Sequence, residues 1–213
     1  LGQGFRLACR ARVAGDGGTD AGGDGKGAVR CHTLRRGAMR IESESSGLVA
    51  PPAPIDPAVK RAGGHVFIDG EPVAEARGPI HGLAVDAGTT TVVLRLVDLE
   101  TGATVASSAF ENPQRFGGSD VMARIRHDTD HPGRLLQRTL LAYIGHAIDD
   151  FPCDPETIFE IVVAGNSTMR DLFFGLDVYT IGQRPYRSLT EHELLEGKRS
   201  TTSLTMPARR SRA

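Results

Sequence analysis

Six consecutive residues, Asp86-Ala87-Gly88-Thr89-Thr90-Thr91, carry an acid, a glycine and three hydroxyls between two apolar runs. A hairpin needs a turn, and an Asx-type hydrogen bond would make one. It does not need that many polar groups. Gly88 lacks a Cβ and allows a tight turn and close approach of a ligand. Successive backbone N–H groups in such a turn can bind an anion, and Thr89, Thr90 and Thr91 add uncharged donors suited to phosphate oxygens. Asp86 cannot bind phosphate directly, but it can orient a hydrated Mg²⁺ that bridges to phosphates. The flanking strands and the triple threonine favour nucleotide phosphate over a plain turn. Neither G-x-x-x-x-G-K-[ST] nor a G-x-G-x-x-G following a strand is present as a competing phosphate loop.

A second candidate edge is Gly165-Asn166-Ser167, which follows the apolar run "TIFEIVVAG" and opens a helix. Free N–H groups at a helix start can face a ligand; ordinary capping by Asn166 or Ser167 explains the same residues. "ENPQRFGGSD" (111–120) is a polar loop in which Asn112, Gln114 and Arg115 could contact a partner or nucleotide. A solvated connection with a glycine hinge accounts for it equally.

The elements that must hold these residues are short. "GLAVD" reads as a buried strand, and "TVVLRLVDL" and "TVASSAF" alternate around an "ETGA" turn, giving a three-strand antiparallel meander. Ser119 is expected to cap a first helix. A second, over roughly 133–150, aligns Leu136, Leu140, Tyr143, Ile144, Ala147 and Ile148 on one face. The buried strand 157–165 then leads to a helix capped by Ser167 and closed by Gly175. Strands, helices, strand, helix make an α/β fold. Upstream, residues 15–27 hold seven glycines and read as a linker. "AMRIESES" (38–45) suits a short strand, "GLVAPPAPIDPAV" (47–59) an extended spacer, and 63–76 a small hairpin around Asp69-Gly70. Residues beyond 186 are polar and are assigned no element.

Across 213 residues, 25 basic and 26 acidic side chains give a formal charge of -1, so nothing steers the whole chain towards nucleic acid. The tail "PARRSRA" reads as a solvated terminus. No apolar run approaches the roughly 18 residues of a membrane span, and the start has no signal-peptide pattern. Three cysteines, Cys9, Cys31 and Cys153, are too few and too scattered for a disulfide framework. A cytoplasmic location is expected.

The hairpin "GLAVDAGTTTVVLRLVDLETG" resembles the first phosphate segment of the actin, sugar kinase and heat-shock ATPase superfamily. "FENPQRFGGSDVMARI" (110–125) and "VVAGNSTMRDLFFGLD" (162–177) resemble, more specifically, the ATPase region of the reductive activators of corrinoid proteins. The resemblance spans residues 81 to about 186. It implies an incomplete ribonuclease H-like (actin-like ATPase) half-domain, with ATP phosphate and Mg²⁺ at Asp86, Gly88, Thr89, Thr90, Thr91, Gly165, Asn166 and Ser167. "GFRLACRARV" (4–13) resembles the tail of the [2Fe–2S] ferredoxin domain that precedes the ATPase domain in that family. Residues 1–14 would be that tail, 15–80 a linker with a small strand region, 81–186 the half-domain and 187–213 a polar, disordered tail. Cys9 would be the fourth [2Fe–2S] ligand, its three partners absent from this chain; alone it would read as a buried structural thiol. Cys31, His32 and Cys153 have no ligand spacing. Where the family commonly has histidine, this chain has Asp171.

The implied activity is ATP-dependent reductive activation, delivering a low-potential electron from a [2Fe–2S] cluster to Co(II) corrinoid. The implied partner is a corrinoid protein or corrinoid-dependent methyltransferase, with a homodimer left open. The family's second phosphate loop and adenosine pocket find no counterpart after 186, so the chain is expected to be a fragment. Two other readings stand beside it: a small-molecule kinase of the same superfamily, and a non-catalytic, vestigial iron–sulfur-associated protein.

Overall fold

The structure, a computed structural model, describes residues 58–206. Cys9 and the ferredoxin-like tail, Cys31, His32, the linker up to residue 57 and "PARRSRA" lie outside the described residues.

Strands β1 (Val59–Ala62), β2 (His65–Ile68) and β3 (Glu71–Glu75) form a small antiparallel sheet in the order β1-β2-β3. The β2–β3 turn falls at Asp69-Gly70, as expected, with both residues at positive φ (50° and 87°). Short polar residues and glycine tolerate that geometry, which matches the twist of a hairpin. Val59, Val66 and Ile80 are buried here, with Leu99 and Phe159 packed against them. Proline-rich composition at 47–59 suggests a spacer, yet its last residue, Val59, begins β1.

The main sheet contains β4 (His81–Ala87), β5 (Thr91–Asp98), β6 (Thr104–Glu111) and β7 (Ile158–Ala164), ordered β6-β5-β4-β7. β4, β5 and β6 are the expected antiparallel meander, whereas β7 lies parallel to β4. A parallel neighbour requires a crossover, and α1 (Val121–Asp130) and α2 (Leu135–Asp149) lie within it. Alternation along β4 buries Leu83, Val85 and Ala87 on one face and leaves Ala84 and Asp86 exposed on the other.

On the buried face, Leu140, Ile144, Ala147 and Ile148 of α2 cluster with Leu83, Val85, Leu94 and Leu96 of the sheet. Each fully buried aliphatic side chain contributes about 1.5–3 kcal/mol of transfer free energy. Tyr143, expected on that stripe, is 49% exposed. It lies at the margin, its ring centroid 5.9 Å from that of Phe110.

Two caps differ from expectation by one residue. Asp120, not Ser119, caps α1 by accepting from the Ala123 N–H at 2.9 Å. Asn166, not Ser167, caps α3 (Ser167–Phe174), accepting from the Met169 N–H at 3.0 Å. In both, the extended residue one position from the expected cap has a side-chain oxygen that reaches the N3 amide. Gly175 closes α3 at φ 67°, as expected.

The polar stretch beyond 186 is not devoid of regular structure. Ser188 and Glu191 form a capping box that starts α4 (Leu189–Leu195). Arg170 on α3 donates to Ser188 Oγ at 3.2 Å, Thr190 Oγ1 at 2.7 Å and the Thr202 carbonyl at 3.1 Å. Low hydropathy concealed this because the segment is held by hydrogen bonds rather than an apolar stripe. Among the described residues, no helix is long and apolar enough to cross a membrane.

Candidate functional site

β4 and β7 run parallel with Asp86 opposite Ala164, so both strands finish at the same end of the sheet. The loop after β4 (Gly88–Thr90) and the loop after β7 (Gly165–Asn166) are therefore neighbours. A Cβ at Gly165 would lie 2.9 Å from the Ala87 carbonyl oxygen, so glycine allows the two backbone segments to approach. Asn166 joins them: its Nδ2 donates to Thr89 Oγ1 at 3.2 Å while its Oδ1 caps α3. The two sequence segments, expected to be ligand-facing edges of the same cleft, meet here as one edge. Asp86 stands exposed beside it, on the sheet face away from α2.

The turn itself is tight. A Cβ at Gly88 would meet the Thr91 carbonyl oxygen at 2.5 Å. Thr90 is exposed, and Thr89 and Thr91 are partly buried.

Behind the loop sit residues whose part the sequence did not reveal. Asn112 is fully buried; its Nδ2 donates to the Gly88 carbonyl at 2.8 Å and its backbone N–H to the Thr90 carbonyl at 2.8 Å. Its Oδ1 accepts from the Gln114 N–H at 2.9 Å, which orients the amide with its donors towards Gly88. Gln114, also fully buried, donates to the Leu136 carbonyl at 3.1 Å. Arg124 of α1 is 1% exposed and donates through Nη2 to the Thr89 carbonyl at 2.6 Å and through Nε to the Gly118 carbonyl at 3.0 Å. "ENPQRFGGSD" is thus not a solvated connection at Asn112 and Gln114, which turn inwards. Arg115 does face solvent, paired with Glu111. One signal was available: Arg124 lies three residues after Val121 and beside Ile125, on the inward stripe of α1.

Burial pulls the Arg124 guanidinium below its ordinary value, opposed by the Asp120 carboxylate. An arginine remains protonated even so, so a fixed cation lies directly under the Asp86–Thr91 loop.

Asp171, in α3, is fully buried; its Oδ1 accepts from Arg170 Nε at 2.7 Å, and its Oδ2 has no hydrogen-bond partner. Burial raises its pKa, with Arg170 opposing. Cys153 is half-buried, and burial pushes its thiol up, away from the thiolate a metal ligand needs. Among the described residues, no three His, Cys, Asp or Glu side chains are grouped to hold a metal ion.

The donor set suits one ligand chemistry. A lone exposed carboxylate fits Mg²⁺ only where the ion keeps several waters and takes further oxygens from phosphate. Turn amides and threonine hydroxyls beside Asp86 could complete such a pairing by binding the phosphates themselves.

Residues 81–209 match the protein family described as the RACo middle region, which begins with β4 and extends past residue 186, where the sequence resemblance ends. The corrinoid activation enzyme RamQ of Eubacterium limosum is 33% identical over 129 residues, covering 58% of this chain and 22% of that protein. A solved structure, a reductive activator for corrinoid, iron–sulfur protein, matches with a TM-score of 0.50 at 32% identity, over 58% of this chain and 20% of its own. This chain spans about a fifth of the length of each of these relatives. The mixed α/β architecture and the solved relative accord with an incomplete actin-like half-domain.

Proposed function

The chain belongs to the RACo middle-region family, and from that premise we propose that it forms the phosphate- and Mg²⁺-binding wall of an ATP site in a protein that reactivates corrinoid proteins. The observation that carries the proposal is the meeting of the two strand-end loops, bridged from Asn166 Nδ2 to Thr89 Oγ1 at 3.2 Å. Asp86 would hold a hydrated Mg²⁺ beside them. Gly88, Thr89, Thr90 and Thr91 would hold phosphate oxygens, and Gly165, Asn166 and Ser167 would complete the edge.

The corrinoid part of the reading rests on relatives named as a corrinoid activation enzyme and a reductive activator for a corrinoid, iron–sulfur protein. In that scheme one electron from a reduced [2Fe–2S] cluster converts Co(II) corrinoid to Co(I), with nucleotide binding coupled to the transfer. Cys9 would belong to the cluster module, and the partner would be a corrinoid protein or corrinoid-dependent methyltransferase.

Calorimetric titration of the 213-residue chain with MgATP tests the site. Binding is expected, and Asp86→Ala should weaken it about tenfold or more, the loss of one charge-assisted contact. Equal MgATP affinity in both proteins would remove Asp86 from the site, and no heat from the native chain would remove the site.

A further inference from the structure

Resting on that phosphate-binding reading, we propose that Asn112 and Arg124 are positioning residues, which turn the Thr89 and Thr90 N–H groups outwards to receive phosphate oxygens. A trans peptide unit is planar, and its C=O and the following N–H point in opposite directions. Tying the Gly88 carbonyl to Asn112 Nδ2 (2.8 Å) therefore aims the Thr89 N–H away from Asn112. Tying the Thr89 carbonyl to Arg124 Nη2 (2.6 Å) aims the Thr90 N–H the same way. Both anchors are fully or almost fully buried, so both amides are driven towards the exposed side of the loop. Two successive amides held like this make an anion-binding concavity.

The anchors are themselves held. The Gln114 N–H fixes the Asn112 amide, and Arg124 is gripped by the Gly118 carbonyl and lies 3.4 Å from Met169 Sδ. The hydrogen-bond partners of Arg124 are neutral dipoles, so its charge is not consumed by a bonded carboxylate. It raises the potential at the loop from behind, without touching the anion. A loop with no lysine or arginine of its own thereby becomes electropositive at its amides, while Asp86 stays free for metal.

Backbone amide spectra of the ¹⁵N-labelled chain, titrated with inorganic triphosphate and Mg²⁺, test this. In the native chain the Thr89 and Thr90 signals should shift saturably. In Arg124→Met they should need about tenfold more triphosphate or more, with Arg124→Lys between the two and the signals of Leu83, Leu94 and Ile144 unchanged. Native and Arg124→Met chains responding with one affinity would overturn the positioning role and leave the phosphate site standing. A silent native chain would overturn both.

If Arg124→Met does not fold, the native chain alone still decides. Its Thr89 and Thr90 amides should exchange with solvent at close to the unprotected rate and slow when triphosphate is added. Protection before any anion is present would mean that they face inwards, and would overturn the proposal.

Discussion

Asn112 holds Gly88 across 24 residues of sequence: its side-chain amide donates to the Gly88 carbonyl at 2.8 Å in a part-buried setting. The same residue's backbone N–H holds Thr90, so the end of β6 sets the shape of the turn between β4 and β5. Replacing Asn112 with alanine strands the Gly88 carbonyl and frees one end of the turn. Asn112→Ala should cost about 1–3 kcal/mol, the usual penalty for an unsatisfied buried group, read as a lower urea midpoint. Asn112→Asp should cost more, because a carboxylate would face a carbonyl. Equal midpoints for Asn112→Ala and the native chain would show that this hydrogen bond carries no stability.

Gly88 and Gly165 are needed for space rather than for left-handed backbone. An added Cβ would lie 2.5 Å from the Thr91 oxygen at the first and 2.9 Å from the Ala87 oxygen at the second, both backbone atoms that cannot rotate away. Gly88→Ala and Gly165→Ala should each lose about 1–3 kcal/mol to overpacking. Gly145, where a Cβ meets nothing within 4 Å, is the control. Gly145→Ala, inside α2, should instead gain roughly 0.5–1 kcal/mol from helix propensity. Thermal denaturation of the three variants would separate these signs.

Binding of ATP should require metal. With an exposed carboxylate at the loop's edge, bare triphosphate meets a like charge, and Mg²⁺ converts that repulsion into a bridge. Chelation by EDTA should weaken ATP binding in the native chain, whereas Asp86→Asn should bind ATP with much less dependence on Mg²⁺. Calorimetry with and without EDTA measures both, and equal Mg²⁺ dependence in the two chains would contradict the role given to Asp86.

Asp171 predicts a pH effect on stability. Burial raises its pKa above 3.8, with Arg170 opposing, so the folded state binds a proton more tightly than the unfolded state. The stability from that preference is present in full below 3.8 and is lost as pH rises through the folded-state value. Asp171→Asn cannot ionise, so the melting temperature of the variant minus that of the native chain should grow more positive as pH rises from acid to neutral. A difference independent of pH would show that Asp171 titrates normally.

Much of the frame is legible in the sequence. Alternation in β4 and β5, the glycine turn and the apolar run of β7 are local signals, and each names an element by its period. Asp86 to Thr91 could be singled out because their chemistry exceeds what a turn needs. The caps slipped by one residue, because Ser119 and Asp120, or Asn166 and Ser167, are adjacent residues with equal capping chemistry; only backbone direction chooses between them. Hydropathy is blind to α4, which Ser188, Thr190 and Arg170 secure by polar contacts.

By itself the sequence determined that this chain has an α/β fold with an acid, a glycine and three threonines at a strand end. Those properties depend on residues near one another along the chain. Only the tertiary structure decided that Asn166 meets Thr89 across 77 residues, and that Arg124 reaches the Thr89 carbonyl across 35. The reason is physical. The parallel pairing of β4 with β7 sets which loops become neighbours, and burial turned Asn112, Gln114 and Arg124 from surface polar residues into the support beneath the loop.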